Sequence, residues 1–337
     1  MASFTTIQDI AEHLGLSKST VARALSNAEG VSKKTREKVL LAAESLGYRK
    51  HPMLSTWMSH VRGKRSDLRS KLEIAWIDET GQDPKAWAPL HRIFDSTVAH
   101  ADKLGFHIER YALHGKRMSP KRVRQIIRTR GVAGIIYFLP TTDNWKELLM
   151  PEFPGICLAG ANMDFGMPLI TTSHAENVEI VFKNLYKKGY RRIALSLNFY
   201  VLNVRSQSDY GVYLRCCHMH DQQPYVKWYD GSPDQEHLDW VAAEEIDAII
   251  VCDGRFKNLF PSATGRKRPT TALAHLNINK DVADWSGIIE PHEKMGVLAL
   301  DTLNSQIMAG QTLEDQFSVR MRIPGVWQDG ATAPGKA

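Results

Sequence analysis

The sequence predicts three parts in order: an N-terminal all-α helix-turn-helix head, a short amphipathic segment with a basic linker, and an α/β body of two doubly wound parallel-sheet lobes. Three observations carry this. Residues 5–48 hold three short amphipathic patterns with almost nothing between them. Positive charge is confined to the first part of the chain: residues 1–71 contain 13 Lys and Arg against 6 Asp and Glu, whereas the remainder has 30 against 31. From Leu72 onward short apolar runs alternate with helical patterns, and the alternation starts afresh after Thr172. A length of 337 residues suits two or three domains, and 43% hydrophobic with 24% charged residues is ordinary for a globular protein.

The head comes first, over residues 1–49. Ile7, Ile10, Ala11 and Leu14 recur at i, i+3, i+4, i+7, so they share one helix face. Gly15 follows, the residue that most cheaply takes the left-handed turn closing a helix. Ser17 offers a hydroxyl N-cap to a second helix, which buries Val21, Ala24 and Leu25 and presents Lys18, Ser19, Ala22 and Arg23 elsewhere. Ser32 caps a third helix with Val39, Ala42, Ala43 and Leu46 inward, and Gly47 ends it. Two helices joined by a tight turn, the second short and basic, form a unit that lays its second helix in the major groove of DNA. A three-helix packing module without a DNA role is the alternative; charge split, turn glycine and spacing favour the groove reader. Lys18, Ser19 and Arg23 are placed to reach base edges, with Arg23 suited to a bidentate guanine contact. Ser17, Thr20, Asn27, Thr35 and the helix-start amides suit phosphates, which fix register without reading sequence. Thr20 equally suits a packed helix position.

Residues 50–71 read KHPMLSTWMSHVRGKRSDLRSK. Pro52 fits the first turn of a short helix made amphipathic by Met53, Leu54, Trp57 and Met58. Arg62, Lys64, Arg65 and Arg69 follow as a basic linker. The body then shows strand patterns at 72–78, 106–113, 131–139, 155–160, 192–198, 225–230, 247–253 and 271–277, with helical patterns between them. Such alternation means parallel sheets covered on both faces, and ligands of such folds gather outside the carboxyl ends of the strands. Candidate binding residues are therefore taken from those ends. Asp78 and Trp87 follow the first strand, and Ser173 and His174 stand at the start of the second set. Arg205 follows the strand ending at Asn198. Tyr229 and Asp230, Asp253, and Asn277 end the next strands, and Glu290 flanks the return. Aromatic rings with Asp, Asn and Arg suit a saccharide, rings covering apolar faces and polar groups reading hydroxyls. Each of these residues, taken singly, also fits a helix cap or a satisfied surface group.

The stretch TTIQDIAEHLGLSKSTVARALSNAEGVSKKTREKVLLAAESLGYR resembles the head of the LacI/GalR-type bacterial transcription regulators. The family pattern runs T-I-x-D-[VI]-A, then G-[VL]-S-x-x-T-V-[SA]-R-x-L-[NS], then V-S-x-x-T-R, and closes on L-G-Y. Ala22 stands where the family usually has Ser. The resemblance implies a hinge helix that inserts an apolar side chain, Met53 or Leu54, into the minor groove; pairing of two hinges in a dimer is the alternative use of those residues. SHAENVEIVFKNLYKKGYRRIAL, IIEPHEKMGVLALDTLNSQIMAG and RMRIPGVWQDG resemble the family's effector domain, whose fold is that of periplasmic sugar-binding proteins. That fold crosses between lobes three times, which implies an N-terminal lobe of 72–171 plus 291–317, a C-terminal lobe of 172–290 plus 318–330, and a tail at 331–337. The pocket departs from the family: Ser208 holds the place of an effector-gripping Arg, Cys252-Asp253 replaces N-D, and Ala274-His275-Leu276-Asn277 replaces G-[FY]-D-D.

The resemblance implies a cytoplasmic repressor, a homodimer on operator DNA, controlled by a small molecule, a saccharide by expectation, held between the lobes. The alternative is a small-molecule-binding protein or enzyme of the same fold with a vestigial head. No cofactor is expected: the chain has no G-x-S-x-G, Walker loop or G-x-G-x-x-G. Cys157, Cys216, Cys217 and Cys252 lack metal or disulfide spacing. No apolar run approaches the ~20 residues of a membrane span.

Overall fold

A computed structural model describes residues 7–25, 31–46, 71–78, 88–113, 118–138, 145–159, 166–198, 206–260, 271–278, 282–315 and 318–336. The chain divides into two compact units, Met1–Ser66 and Asp67–Ala337. In the first, α1 (Ile7–Leu14), α2 (Lys18–Leu25) and α3 (Lys33–Ser45) close on one small core. Ile10, Ala11, Val21, Ala24, Val39, Ala42 and Ala43 are buried there, with Ile7, Leu14, Leu25 and Leu46 packed around them. Gly15 takes φ +62°, and the amide of Leu16 returns to the Ala11 carbonyl at 2.9 Å, so the turn is the left-handed closure its sequence demands. Ser32 caps α3 by accepting from the Thr35 amide at 3.1 Å.

The second unit contains two six-stranded sheets. The first is built from β1 (Leu72–Asp78), β2 (Phe106–Ala112), β3 (Gly134–Phe138), β4 (Gly155–Leu158), β5 (Leu169–Thr172) and β11 (Arg320–Ile323). The second holds β6 (Ile193–Asn198), β7 (Tyr225–Tyr229), β8 (Ala248–Val251), β9 (Ala272–His275), β10 (Ser286–Ile289) and β12 (Val326–Gln328). Their orders are β11-β5-β4-β3-β1-β2 and β12-β10-β9-β8-β6-β7, parallel throughout except for β12, which runs antiparallel to β10. Both orders reverse direction beside the first strand of their lobe, between β1 and β3 and between β6 and β8. Such switch points are where doubly wound sheets bind ligands.

Helices cover both faces. In the first lobe Leu72, Ile74 and Trp76 face one core with α4 (Ala88–Leu104) and α11 (His292–Ala309), while Ala75 and Ile77 face another with α5 (Pro120–Arg130). Ser119 caps α5 by accepting from the Arg122 amide, Pro120 opens it, and Gly131 closes it at φ +66°. Val123 and Ile127 are its buried side, and Lys121, Arg122, Arg128 and Arg130 face outward. In the second lobe α7 (His174–Lys187) and α8 (Ser206–Met219) cover one face, with Cys216 and Cys217 in that core. The short α6 (Trp145–Leu148) and α10 (Phe256–Leu259), and α9 (Gln235–Ala243), complete the layers.

The last crossover departs from expectation. A passage near Phe317 would put 318–330 in the second lobe, but Arg320–Ile323 pairs in parallel with Leu169–Thr172 of the first sheet. Met321 and Ile323 pack on the first lobe's core, so the chain crosses only after Ile323. Residues 331–336 are likewise more than a tail. Ala333 is in the second lobe's core, the Thr332 hydroxyl donates to the Leu273 carbonyl at 2.6 Å, and the Tyr190 hydroxyl donates to the Pro334 carbonyl at 2.5 Å.

Candidate nucleic-acid interface and strand-end site

The head presents what a groove reader needs. Helix α2 has no acidic residue; Lys18, Ser19 and Arg23 are exposed on it, and Val21 and Ala24 anchor its other side in the head core. The Ser17 hydroxyl accepts from the Thr20 amide at 3.2 Å and lies 2.9 Å from the Ser19 hydroxyl and 2.8 Å from that of Thr20. Ser17 is thus the N-cap of α2, and Thr20 is half-buried within this hydroxyl cluster. Thr35 stands in the first turn of α3, its hydroxyl 2.8 Å from that of Ser32. Asn27, Met53 and Leu54, and with them the hinge helix expected within 50–71, lie outside the described residues, as do Trp87 and Arg205.

The remaining candidates of the body stand at carboxyl ends of strands, and most are tied up with one another. Asp78, at the end of β1, is fully buried and is held by Arg110 of β2, whose Nε donates to Oδ2 at 3.1 Å. In the second lobe, Asn198 at the end of β6 donates to the Gly231 carbonyl at 3.0 Å. Arg255 donates to that same carbonyl at 2.8 Å, to the Ser232 hydroxyl at 2.6 Å and to the Asp253 carboxylate at 2.9 Å. This one guanidinium thereby joins the loops after β7 and β8. Burial pushes the Asp253 carboxyl up, but hydrogen bonds and charge from Arg255 outweigh it and hold the group below the usual Asp range. The Tyr229 hydroxyl also donates to Asp253, at 3.5 Å. Its ring is not open to a sugar face as expected: it packs edge-on against His237 at 5.0 Å and Phe256 at 5.7 Å. Asp230 is exposed and accepts from the Gly231 amide at 2.8 Å.

A second group gathers where the chain passes between lobes. Glu290 is buried just beyond β10, its carboxylate 3.5 Å from His174 Nδ1 and 3.2 Å from His292 Nε2. These histidines open α7 and α11, so one carboxylate ties together the starts of a helix from each lobe. The Ser173 hydroxyl beside them donates to Glu176 at 2.7 Å. His275, the last residue of β9, is buried, and its Nδ1 accepts from the Asn277 amide at 3.0 Å. Burial pushes the His275 pKa down to about 4, against smaller opposing effects of Asp253 and Glu290.

Arg255, His292 and His275 are the residues that sequence reasoning passed over. The spacing Asp253-x-Arg255 is a local signal for the first, and His292 stands two positions after Glu290. His275 stood in the sequence only as a departure from a family pattern; its burial and its acceptor are tertiary facts.

Comparisons with known proteins bear on both units. Residues 6–51 match the model of bacterial regulatory proteins, lacI family. The HTH-type transcriptional regulator TreR of Salmonella typhimurium is 24% identical over 227 residues, 66% of each chain. GalR of Escherichia coli is 23% identical over 194 residues, 56% of this chain and 52% of GalR. The matched segments thus span less than two thirds of these relatives. Among solved structures, the lac repressor dimer bound to operator and the anti-inducer ONPF superposes with a TM-score of 0.57 at 19% identity, over 98% of this chain and 100% of that one. A transcriptional regulator CelR–cellobiose complex gives 0.58 at 17% identity, over 97% and 99%. The chain therefore carries, over residues 6–51, a head of the lacI family of bacterial regulatory proteins, on a body with the fold of the lac repressor.

Proposed function

We propose that this protein is a sequence-specific DNA-binding transcription regulator, a repressor that works as a homodimer and is controlled by a saccharide bound between the lobes of its body. The observation that carries the reading is the head: a helix with exposed Lys18, Ser19 and Arg23, buried on its other side, within a segment that matches lacI-family heads. Two copies would read two half-sites of a pseudo-palindromic operator. The body supports the control step. Asp78, Asn198 and Asp253 stand at or just beyond the ends of strands that border the switch points of two sheets joined by three crossovers, and a molecule seated there would change the angle between the lobes. By linkage, operator binding alters ligand affinity by the same factor that ligand alters operator affinity. The relatives are regulators rather than enzymes, and no catalytic step is assigned to this chain.

Arg23 provides the test of the head. Arg23→Ala is expected to weaken binding to the preferred duplex by about 1–3 kcal/mol and to relax specificity at one base pair. Fluorescence anisotropy against duplexes substituted at each position reads this out. Equal weakening on every duplex would make Arg23 a phosphate contact and remove it from base reading.

A further inference from the structure

We propose that the strand ends of the second lobe take an uncharged polyol and that His275 reads it as a neutral N–H donor, an inference that rests on the ligand-controlled reading above. The tautomer follows from one bond. The Asn277 amide can only donate, so His275 Nδ1 must accept, and the ring proton is on Nε2. That N–H is buried without an acceptor, in a residue only 2% exposed, and the Asn277 side-chain carbonyl oxygen is buried without a donor. A core position of this shape is filled as well by phenylalanine, with no polar atom to satisfy. A buried donor left open is rare and destabilising in the ligand-free protein. The His275 donor and the Asn277 acceptor are both without partners, and hydroxyl groups, which accept and donate, can satisfy each of them.

The surrounding charges select the ligand's class. Among the described residues, the two guanidinium groups at these strand ends already have a carboxylate, Arg255 with Asp253 and Arg110 with Asp78, and Glu290 lies beside His174 and His292. Asp230 adds exposed negative charge. A phosphorylated or acidic ligand would meet these carboxylates with both guanidinium groups engaged, whereas hydroxyls fit the open donor and acceptor. Nε2 is shielded from solvent in the ligand-free form, so a ligand oxygen reaches it through the change in lobe angle that the proposed control already requires.

Thermal unfolding of the full chain tests this, for wild type, His275→Phe and His275→Gln, alone and with glucose, galactose, cellobiose or glucose 6-phosphate. Without sugar, His275→Phe is expected to melt higher than wild type by about 2–4 °C, since it removes the open donor and keeps the volume. At least one neutral sugar should raise the wild-type melting temperature, and glucose 6-phosphate should not. For that sugar the phenylalanine variant should bind about tenfold more weakly, and glutamine, whose amide N–H can occupy the place of Nε2, should retain most of the shift. If phenylalanine does not fit, His275→Leu provides the same comparison. An unchanged sugar shift in the variant lacking the donor removes His275 while leaving the ligand-controlled reading standing. A shift with glucose 6-phosphate alone overturns the uncharged class. No shift of the wild type by any of the four overturns the saccharide reading and this inference with it.

Discussion

Replacing Gly296 by valine is expected to destabilise the body by roughly 3 kcal/mol, read as a lower urea midpoint at unchanged slope. Gly296 lies in α11, where it faces α4. A Cβ there would stand 2.5 Å from the Ser96 and Thr97 hydroxyls and 2.6 Å from the Ile93 carbonyl oxygen. Those hydroxyls cannot easily move aside, because both donate back to the Ile93 carbonyl, at 2.9 and 2.7 Å. The nearest carbonyl is backbone, so the two helices must part, and with them Met295, Ala299 and Leu300 of the first lobe's core. Glycine within a helix costs about 1 kcal/mol against alanine; at Gly296 that penalty is accepted for close helix packing. Gly211 is the control. It is an exposed helical glycine whose Cβ would meet nothing within 4 Å, so Gly211→Ala is expected to stabilise by about 0.5–1 kcal/mol.

Lowering the pH from 6.5 to 4 should remove on the order of 3 kcal/mol through His275 alone. The folded-state pKa of His275 is pushed down to about 4 by burial, from 6.5. Between those values the unfolded chain takes up a proton that the folded body refuses, so stability falls as pH falls through that window. His237 adds to the same slope, since burial also lowers its pKa. Asp253 acts later: its carboxyl is held below the usual range, so what its pairing with Arg255 contributes is present above the ordinary Asp value and is lost only as pH falls through the lowered one. Urea midpoints at pH 7, 5.5 and 4.5 measure the slope, and His275→Phe should flatten it. An equal slope in that variant would assign the loss to other groups.

The head was legible almost residue by residue, because its signals are local. Cap, turn glycine and apolar spacing all act within four residues of the groups they satisfy, as Ser32 with Thr35 and Gly15 with Glu12 show. The two parallel sheets were legible from their long buried strands, β1 and β6 above all. The short strands β5, β10, β11 and β12 were not. Three or four residues carry too little periodicity, and β11 reads Arg-Met-Arg-Ile with only half its side chains turned inward. What makes it a strand is a partner about 150 residues earlier in the chain, and that also moved the last crossover beyond Ile323. The strand-end site was half legible. Residue type and position pointed to Asp78, Asp253 and Glu290, but not to the fact that Arg110 and Arg255 already pair with the first two and that two histidines lie against the third. Arg110 reaches Asp78 from the neighbouring strand, a pairing set by register that no short motif records, whereas Arg255 and His292 stand two residues from their carboxylates and left a local trace.

The most direct measurement is anisotropy of a labelled duplex from upstream of the protein's own gene, titrated over a salt series with and without neutral saccharides. The proposed regulator predicts tight binding to that duplex over a scrambled one, an affinity that falls linearly in log salt with a slope set by the phosphates contacted, and a further drop of tenfold or more with one saccharide. Binding that is equal for both duplexes would contradict the DNA-reading head, and specific binding that no saccharide alters would contradict control by a bound sugar.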